Sequence, residues 1–271
     1  MKIVIFLLLF CFIPSAKLYA QQTEEEAIDT LLKTTQKFRK EFQKLSLNKG
    51  SINKYPYEEV LEGARALYKF NRNYPKSRKI FEKEYDFSIN QQIKGSIILD
   101  SLEKYPGAQI LLLDRQIGMN FNNYENDFIT SIDGVIIGKI LNEKTVVCEL
   151  SPYPSMDYVI FEIEIDEILE GMNEYKKGDK IEIWTAYVWG GGAYSVGKTY
   201  LFNLWYRAET NKYNTVVTPQ ISIYSALGSG HGVFEVENNT FIDRTNYFGF
   251  GYKVEFKSIK NYIIDLRNKL L

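Results

Sequence analysis

Between Asp133 and Phe202 the hydrophobic period of this chain is two, and that constrains its fold more than any other feature. Val159, Phe161, Ile163 and Ile165 alternate with Glu162, Glu164 and Asp166. Successive side chains of a strand point to opposite faces, so this run has one dry face and one acidic face. Such a segment is a half-solvated antiparallel strand, and it needs partners. They are close by in sequence: Gly134 to Leu141, Lys180 to Tyr187 and Thr199 to Trp205. Turns at Gly171, Lys177-Gly178-Asp179 and Gly197-Lys198 separate them. Gly138 interrupts the first strand, as at a bulge or sharp bend. Thr145 to Leu150 either continues that strand or pairs back across Asn142-Glu143. Val216 to Tyr224 supplies a fifth strand, and Pro219 within it favours an edge position or a bulge. Five short strands with a bent first member predict a Greek-key barrel of the OB type.

The chain before this stretch has a helical period. Thr23 and Glu26 make a capping box, and Ile28, Leu31, Thr35, Phe38, Phe42 and Leu45 follow at steps of three and four. Tyr55-Pro56 opens a second helix with Val60, Leu61, Ala64, Leu67 and Tyr68 on one stripe. Further helices are expected over residues 77–84 and 88–104, ending at the stop Tyr105-Pro106-Gly107. Ile110 to Leu113 is too short a run to type by period, and Asn120 to Asn126 reads as a polar loop. After the barrel, Gly232 to Val236 and Tyr252 to Phe256 are expected to form a hairpin around Asn238-Asn239. A last helix carries Phe256, Ile259, Ile263, Leu266 and Leu270 on one face and packs on the barrel. The expected class is α+β: a helical region over 21–126, then an OB-like five-stranded barrel with a hairpin and C-terminal helix over 127–271.

Residues 1–20 have the plan of a secretory signal. Lys2 precedes the apolar run Ile3 to Ile13, and Leu18-Tyr19-Ala20 leads into Gln21, which predicts cleavage after Ala20. The run is far short of a bilayer span, so the expectation is a secreted or periplasmic protein with no membrane span after cleavage. The 33 basic and 34 acidic residues become 31 and 34 once Lys2 and Lys17 leave, a balance that gives nucleic acid no electrostatic hold. Cys11 leaves with the signal, so Cys148 has no intramolecular disulfide partner.

Catalytic constellations are scarce. Cys148 and the lone histidine, His231, would form a nucleophile–base pair only if the fold joined them. Glu162, Glu164 and Asp166 share a strand face at about 7 Å spacing, a geometry open to a hard cation or an acid/base pair. A solvated face is the plainer reading of both strand acids and loop histidine. No metal or cofactor is called for: zinc wants several Cys or His ligands, and Gly190-Gly191-Gly192 lacks the Lys and hydroxyl of a phosphate loop. The segment that points to binding is Trp184, Tyr187, Trp189, Gly191 and Tyr194, where aromatics and glycines join two strands and offer stacking surface beside open backbone.

GVIIGKI, VIFEIEIDEILEG, KIEIWT and GKTYLF together resemble bacterial relatives of the tissue-inhibitor-of-metalloproteinase and netrin-like domains. The resemblance covers Asp133 to the C-terminus and implies an OB fold used for binding. The animal inhibitors place a disulfide-tied cysteine at the mature N-terminus on a protease zinc. Here Gln21 stands at that position, so the inhibitory chemistry does not transfer. The expectation is a secreted, non-enzymatic binding protein with a protein or glycan partner. The alternatives are a secreted hydrolase or a structural component of an envelope assembly.

Overall fold

The computed structural model describes residues 23–38, 53–74, 106–146, 158–186, 194–206, 221–223 and 232–271. Helix α1 (Glu24–Thr35) opens on the expected capping box: the Thr23 hydroxyl accepts from the Glu26 amide, and the Glu26 carboxylate accepts from that of Thr23. It buries Ala27, Leu31 and Thr35, and a 3₁₀ turn then buries Phe38. The rest of that stripe, Phe42 and Leu45, lies outside the described residues, as do the helices expected over 77–84 and 88–104. Helix α2 (Tyr57–Asn73) begins directly after Pro56 and buries the predicted stripe from Val60 to Tyr68.

Pro106 opens helix α3 (Pro106–Asn120), at a position where its missing N–H costs nothing; the helix expected before this proline lies outside the described residues. One local reading is corrected: the Asn-rich stretch is not a loop. Asn122 caps α4 (Asn123–Thr130) by accepting from the Glu125 amide, while Glu125 accepts from Asn122, a second capping box.

The predicted α+β class is present, with a closed mixed barrel at its centre. Strand β1 (Gly134–Val146) runs through Asn142-Glu143 without turning back. It pairs antiparallel with β2 (Tyr158–Glu170) and, over its first half, with β4 (Thr199–Tyr206). β2 pairs with β3 (Lys180–Ala186), and β5 (Ile221–Ile223) lies between β3, to which it is parallel, and β4. The circuit β1-β2-β3-β5-β4 thus closes on itself. The fifth strand is therefore no edge strand where it is described; Pro219 lies outside the described residues.

The register of β1 against β2 shifts at Gly138, where the sequence predicts a bulge or bend. A Cβ there would stand 2.5 Å from Ile163 Cγ2 and 2.9 Å from the Glu164 carbonyl. Closure brings one side-chain set inward. Ile136, Ile140, Val159, Phe161, Ile163, Ile165, Ile181, Ile183, Tyr200, Phe202 and Leu204 form the interior.

A second core lies outside the barrel wall. Val135 and Ile137 of β1 and Leu201 of β4 pack with the helices. So does Phe234 of β6 (Val233–Glu237), which pairs with β4 and then with β7 (Thr240–Ile242). The β6–β7 turn is Asn238-Asn239, both at positive φ, as predicted, but the second arm is β7. The segment expected as that arm, β8 (Lys253–Glu255), joins on the far side of β7. Helix α5 (Phe256–Leu270) buries Ile259, Ile263, Leu266 and Leu270 in the same core, and Lys260 pairs with Glu167 of β2 at 2.6 Å.

Gly171 fixes the exit of β2. It sits at φ 60°, and a Cβ would lie 2.2 Å from the Asp133 carbonyl oxygen. Gly171→Ala is expected to lower the unfolding free energy by roughly 3 kcal/mol, through backbone strain and a clash with main chain. Gly178→Ala is the control: φ is 88° but no atom lies within 4 Å of the added carbon, so a loss of about 1 kcal/mol is expected. Urea denaturation of both variants checks the difference; equal losses would remove the close approach at Gly171 as a constraint.

Candidate functional site

The site begins with a buried ion pair. On α2, Arg72 follows Tyr68 by four residues, so both point the same way from the helix. At the end of β2, Glu170 stands opposite Val135, whose side chain lies in the core shared with the helices. Glu170 is 6 % exposed. Its Oε1 accepts from the Tyr68 hydroxyl at 2.7 Å and from Arg72 Nε at 2.8 Å. Burial, together with the Glu170 charge, holds the Tyr68 phenol far above its ordinary pKa, so it remains a donor. The Arg72 guanidinium also donates to the carbonyls of Phe128 and Ile132 and lies over the rings of Tyr68 and Phe128. Asn71 beside it donates to the Ile129 and Thr130 carbonyls. These two side chains therefore satisfy the orphan acceptors at the C-terminus of α4, where a cation also suits the helix dipole.

This pair forms one wall of a cleft of about 370 Å³ at the seam between helices and barrel. Asp133, Glu174, Asn173, Tyr206 and Arg267 also line it. The Asp133 carboxylate accepts from the Tyr206 amide at 2.8 Å, which ties the start of β1 to the end of β4. The Tyr206 hydroxyl donates to Glu174, and burial with that bond raises its pKa strongly. Among the described residues, two buried polar atoms of cleft-lining side chains have no hydrogen-bond partner: Glu170 Oε2, an acceptor, and Arg267 Nε, a donor. Both are closed off from solvent, so their lack of partners is a cost of the seam's packing.

Sequence reasoning did not find this cleft. Its signals were available: Arg72 extends the Tyr68 side of a buried stripe, and Glu170 occupies the middle of Leu169-Glu170-Gly171. Neither departs from an ordinary helix or strand pattern until the two elements are brought together.

Of the predicted binding residues, Trp184 and Tyr194 are described; Tyr187, Trp189 and Gly191 lie outside the described residues. Trp184 is buried opposite Ile160, on the outward register of β3 rather than among the interior side chains. Tyr194 is half-buried against Phe161 and Tyr200, ring centroids 5.7 and 5.8 Å away, and so packs onto the barrel interior. Burial raises its pKa. Glu162 faces Lys180, 3.4 Å away across strands, and Glu164 is opposite that lysine in register. This is a solvated, cross-paired face. Cys148 and His231 lie outside the described residues. Among the described residues no group of three or more His, Cys, Asp or Glu is arranged to hold a metal. No family model matches the chain, and no curated protein matches it.

Away from the cleft, Asp114 of α3 has its pKa pushed up to about 6 by burial and then by the charge of Asp127, with Arg115 opposing. A carboxyl raised in the folded state stabilises below its unfolded pKa and loses that stability as pH rises through about 6. Thermal unfolding should therefore show Asp114→Asn more stable than the parent at pH 7, by on the order of 2 kcal/mol, and nearly equal to it at pH 4. A gain that is the same at both pH values would refute the assignment. For the ion pair, Arg72→Ala should cost about 3 kcal/mol by stranding a buried carboxylate. Adding Glu170→Ala to that variant should cost far less than Glu170→Ala does alone. Additive losses in the double-mutant cycle would show that the two side chains act independently.

Proposed function

We propose that this protein is an exported, non-catalytic binding protein that takes a saccharide in the cleft between its helices and its barrel. The observation that carries this reading is the lining of the cleft, a polar seam of both charge signs built around the Arg72–Glu170 pair. Around it stand two arginines, three carboxylates, two amides and a phenol, all hydrogen-bonding groups. Mixed donors and acceptors of both charge signs suit the vicinal hydroxyls of a sugar better than an apolar ligand or a long polyanion.

The barrel supports the same reading. A closed circuit of order β1-β2-β3-β5-β4, with a glycine-bent first strand, is the arrangement expected of an OB-type barrel, in keeping with the netrin-like motifs. Export rests on the signal-like residues 1–20. The aromatic and glycine-rich sequence around Trp189, outside the described residues, is a further candidate contact.

Titration calorimetry against panels of neutral and acidic oligosaccharides tests the proposal. Combined Asn173→Ala and Glu174→Gln, at exposed cleft positions, should weaken binding at least tenfold and move Tm by no more than a few degrees. Trp189→Ala should also weaken binding without a large fall in Tm. Turnover of peptide, ester or glycan substrates that a single acidic, Cys148 or His231 substitution abolishes would overturn the non-catalytic reading. Tight binding to a protein partner with no response to any saccharide would overturn the ligand class.

A further inference from the structure

The turn between β7 and β8 carries Phe248-Gly249-Phe250-Gly251-Tyr252, a string that alternates ring and glycine. It is a built loop. Buried Asp243 accepts from the Phe248 amide at 2.8 Å and from the Thr245 amide and hydroxyl, both at 3.2 Å. Asn246 closes the other side: its side chain accepts from the Gly251 amide at 2.6 Å and its carbonyl from that of Gly249 at 3.1 Å. The Asp243 amide donates to the Tyr252 carbonyl at 2.9 Å. Phe248 anchors the turn below by stacking on Tyr124, ring centroids 4.0 Å apart.

What this frame holds out is aromatic. Phe250 is 47 % exposed and Tyr252 59 % exposed, with Phe250 steadied edge-on by Tyr262 at 5.1 Å. Gly249 and Gly251 flank Phe250 at φ 82° and 93°, and a Cβ at either would meet nothing within 4 Å. Ring faces are thus left clear of neighbouring side chains on the glycine sides. Arg244 and Lys253 are exposed at the base of the same turn and have no ion pair among the described residues. The acid nearest Arg244 in sequence, Asp243, is buried and committed to the loop's own hydrogen bonds, while the acid nearest Lys253 is Glu255, two residues on along β8.

We infer that this loop is a second carbohydrate contact, a stacking platform for an acidic polysaccharide, with Phe250 and Tyr252 taking sugar rings and Arg244 and Lys253 taking carboxylates. Phe250, steadied edge-on by Tyr262, loses little freedom when a ligand stacks on it. The free cations give the charge complementarity that selects acidic sugars. The inference rests on the reading of the chain as a glycan binder, but it uses residues that do not line the cleft.

Polygalacturonate, with dextran as neutral control, is the probe for affinity electrophoresis and calorimetry on the full protein. Phe250→Ala with Tyr252→Ala should weaken polygalacturonate binding at least tenfold. Arg244→Gln with Lys253→Gln should weaken it several-fold and flatten its salt dependence, and this second variant serves if the aromatic one fails to fold. Retention of polygalacturonate binding within twofold by the aromatic variant, where folded, or by the charge variant would overturn the platform. So would equal binding of dextran, or capture by phosphatidylglycerol vesicles that Phe250 and Tyr252 govern instead. Saccharide binding that responds to Asn173 and Glu174 but to none of these four residues would end this inference alone. An absence of any saccharide binding would end both.

Discussion

The buried contact between Arg72 and Glu170 is the constraint on which the rest of this molecule depends. Removing two charges from water is expensive, and the attraction between them offsets that cost only when the remaining hydrogen-bonding capacity is also met. Here Arg72 meets it almost completely, with one carboxylate oxygen, two backbone carbonyls and two aromatic faces. Those five partners come from four stretches: α2 itself, the end of α4, the lead into β1 and the end of β2. The geometry therefore allows one placement of the helical layer against the barrel and penalises its neighbours. Registry is the stronger physical account of such a pair, since well-packed apolar residues would supply comparable stability without the desolvation.

The same seam explains the glycine at the end of β2. Glu170 reaches α2 only if the chain turns immediately afterward, and Gly171 makes that turn against the Asp133 carbonyl. Asp133 in turn accepts from the Tyr206 amide, which brings the end of β4 to the same place. Barrel closure, helix docking and the cleft are thus consequences of one short convergence of chain. Gly138 does for the bend of β1 what Gly171 does for the exit of β2, since both let main chain approach where a methyl group would not fit.

Much of this was legible in the amino-acid sequence where one local force decides the outcome. The alternation from Val159 to Ile165 reads directly as an inward face, and the stripe from Ile259 to Leu270 reads as a buried helix side. Asn122 was misread because asparagine-rich composition suggests a loop, whereas its spacing to Glu125 makes a helix cap, and the spacing prevailed. Pro106 was read only as a stop, although proline both ends helices and begins them, so the helix it opens was not foreseen. Of the edge position or bulge expected of the fifth strand, the edge is excluded over Ile221–Ile223 on tertiary grounds, because barrel closure places β5 between β3 and β4. The cleft was illegible for the same kind of reason. Arg72 and Glu170 lie 98 residues apart, and nothing local to either announces the other.

That pattern also locates where binding can occur. Ile136, Phe161, Ile163, Ile183 and Phe202 fill the barrel interior with no measurable exposure, so no ligand enters it. Helices and the β6–β7 hairpin cover the wall formed by β1 and β4. The acidic face of β2 is cross-paired with lysine. Among the described residues, the seam between helices and barrel carries the cleft, and the turn between β7 and β8 holds rings in solvent. Those positions carry the least weight in the hydrophobic pattern. A core so plainly written in the sequence thus leaves the chemistry of seam and turn to residues that the pattern does not use.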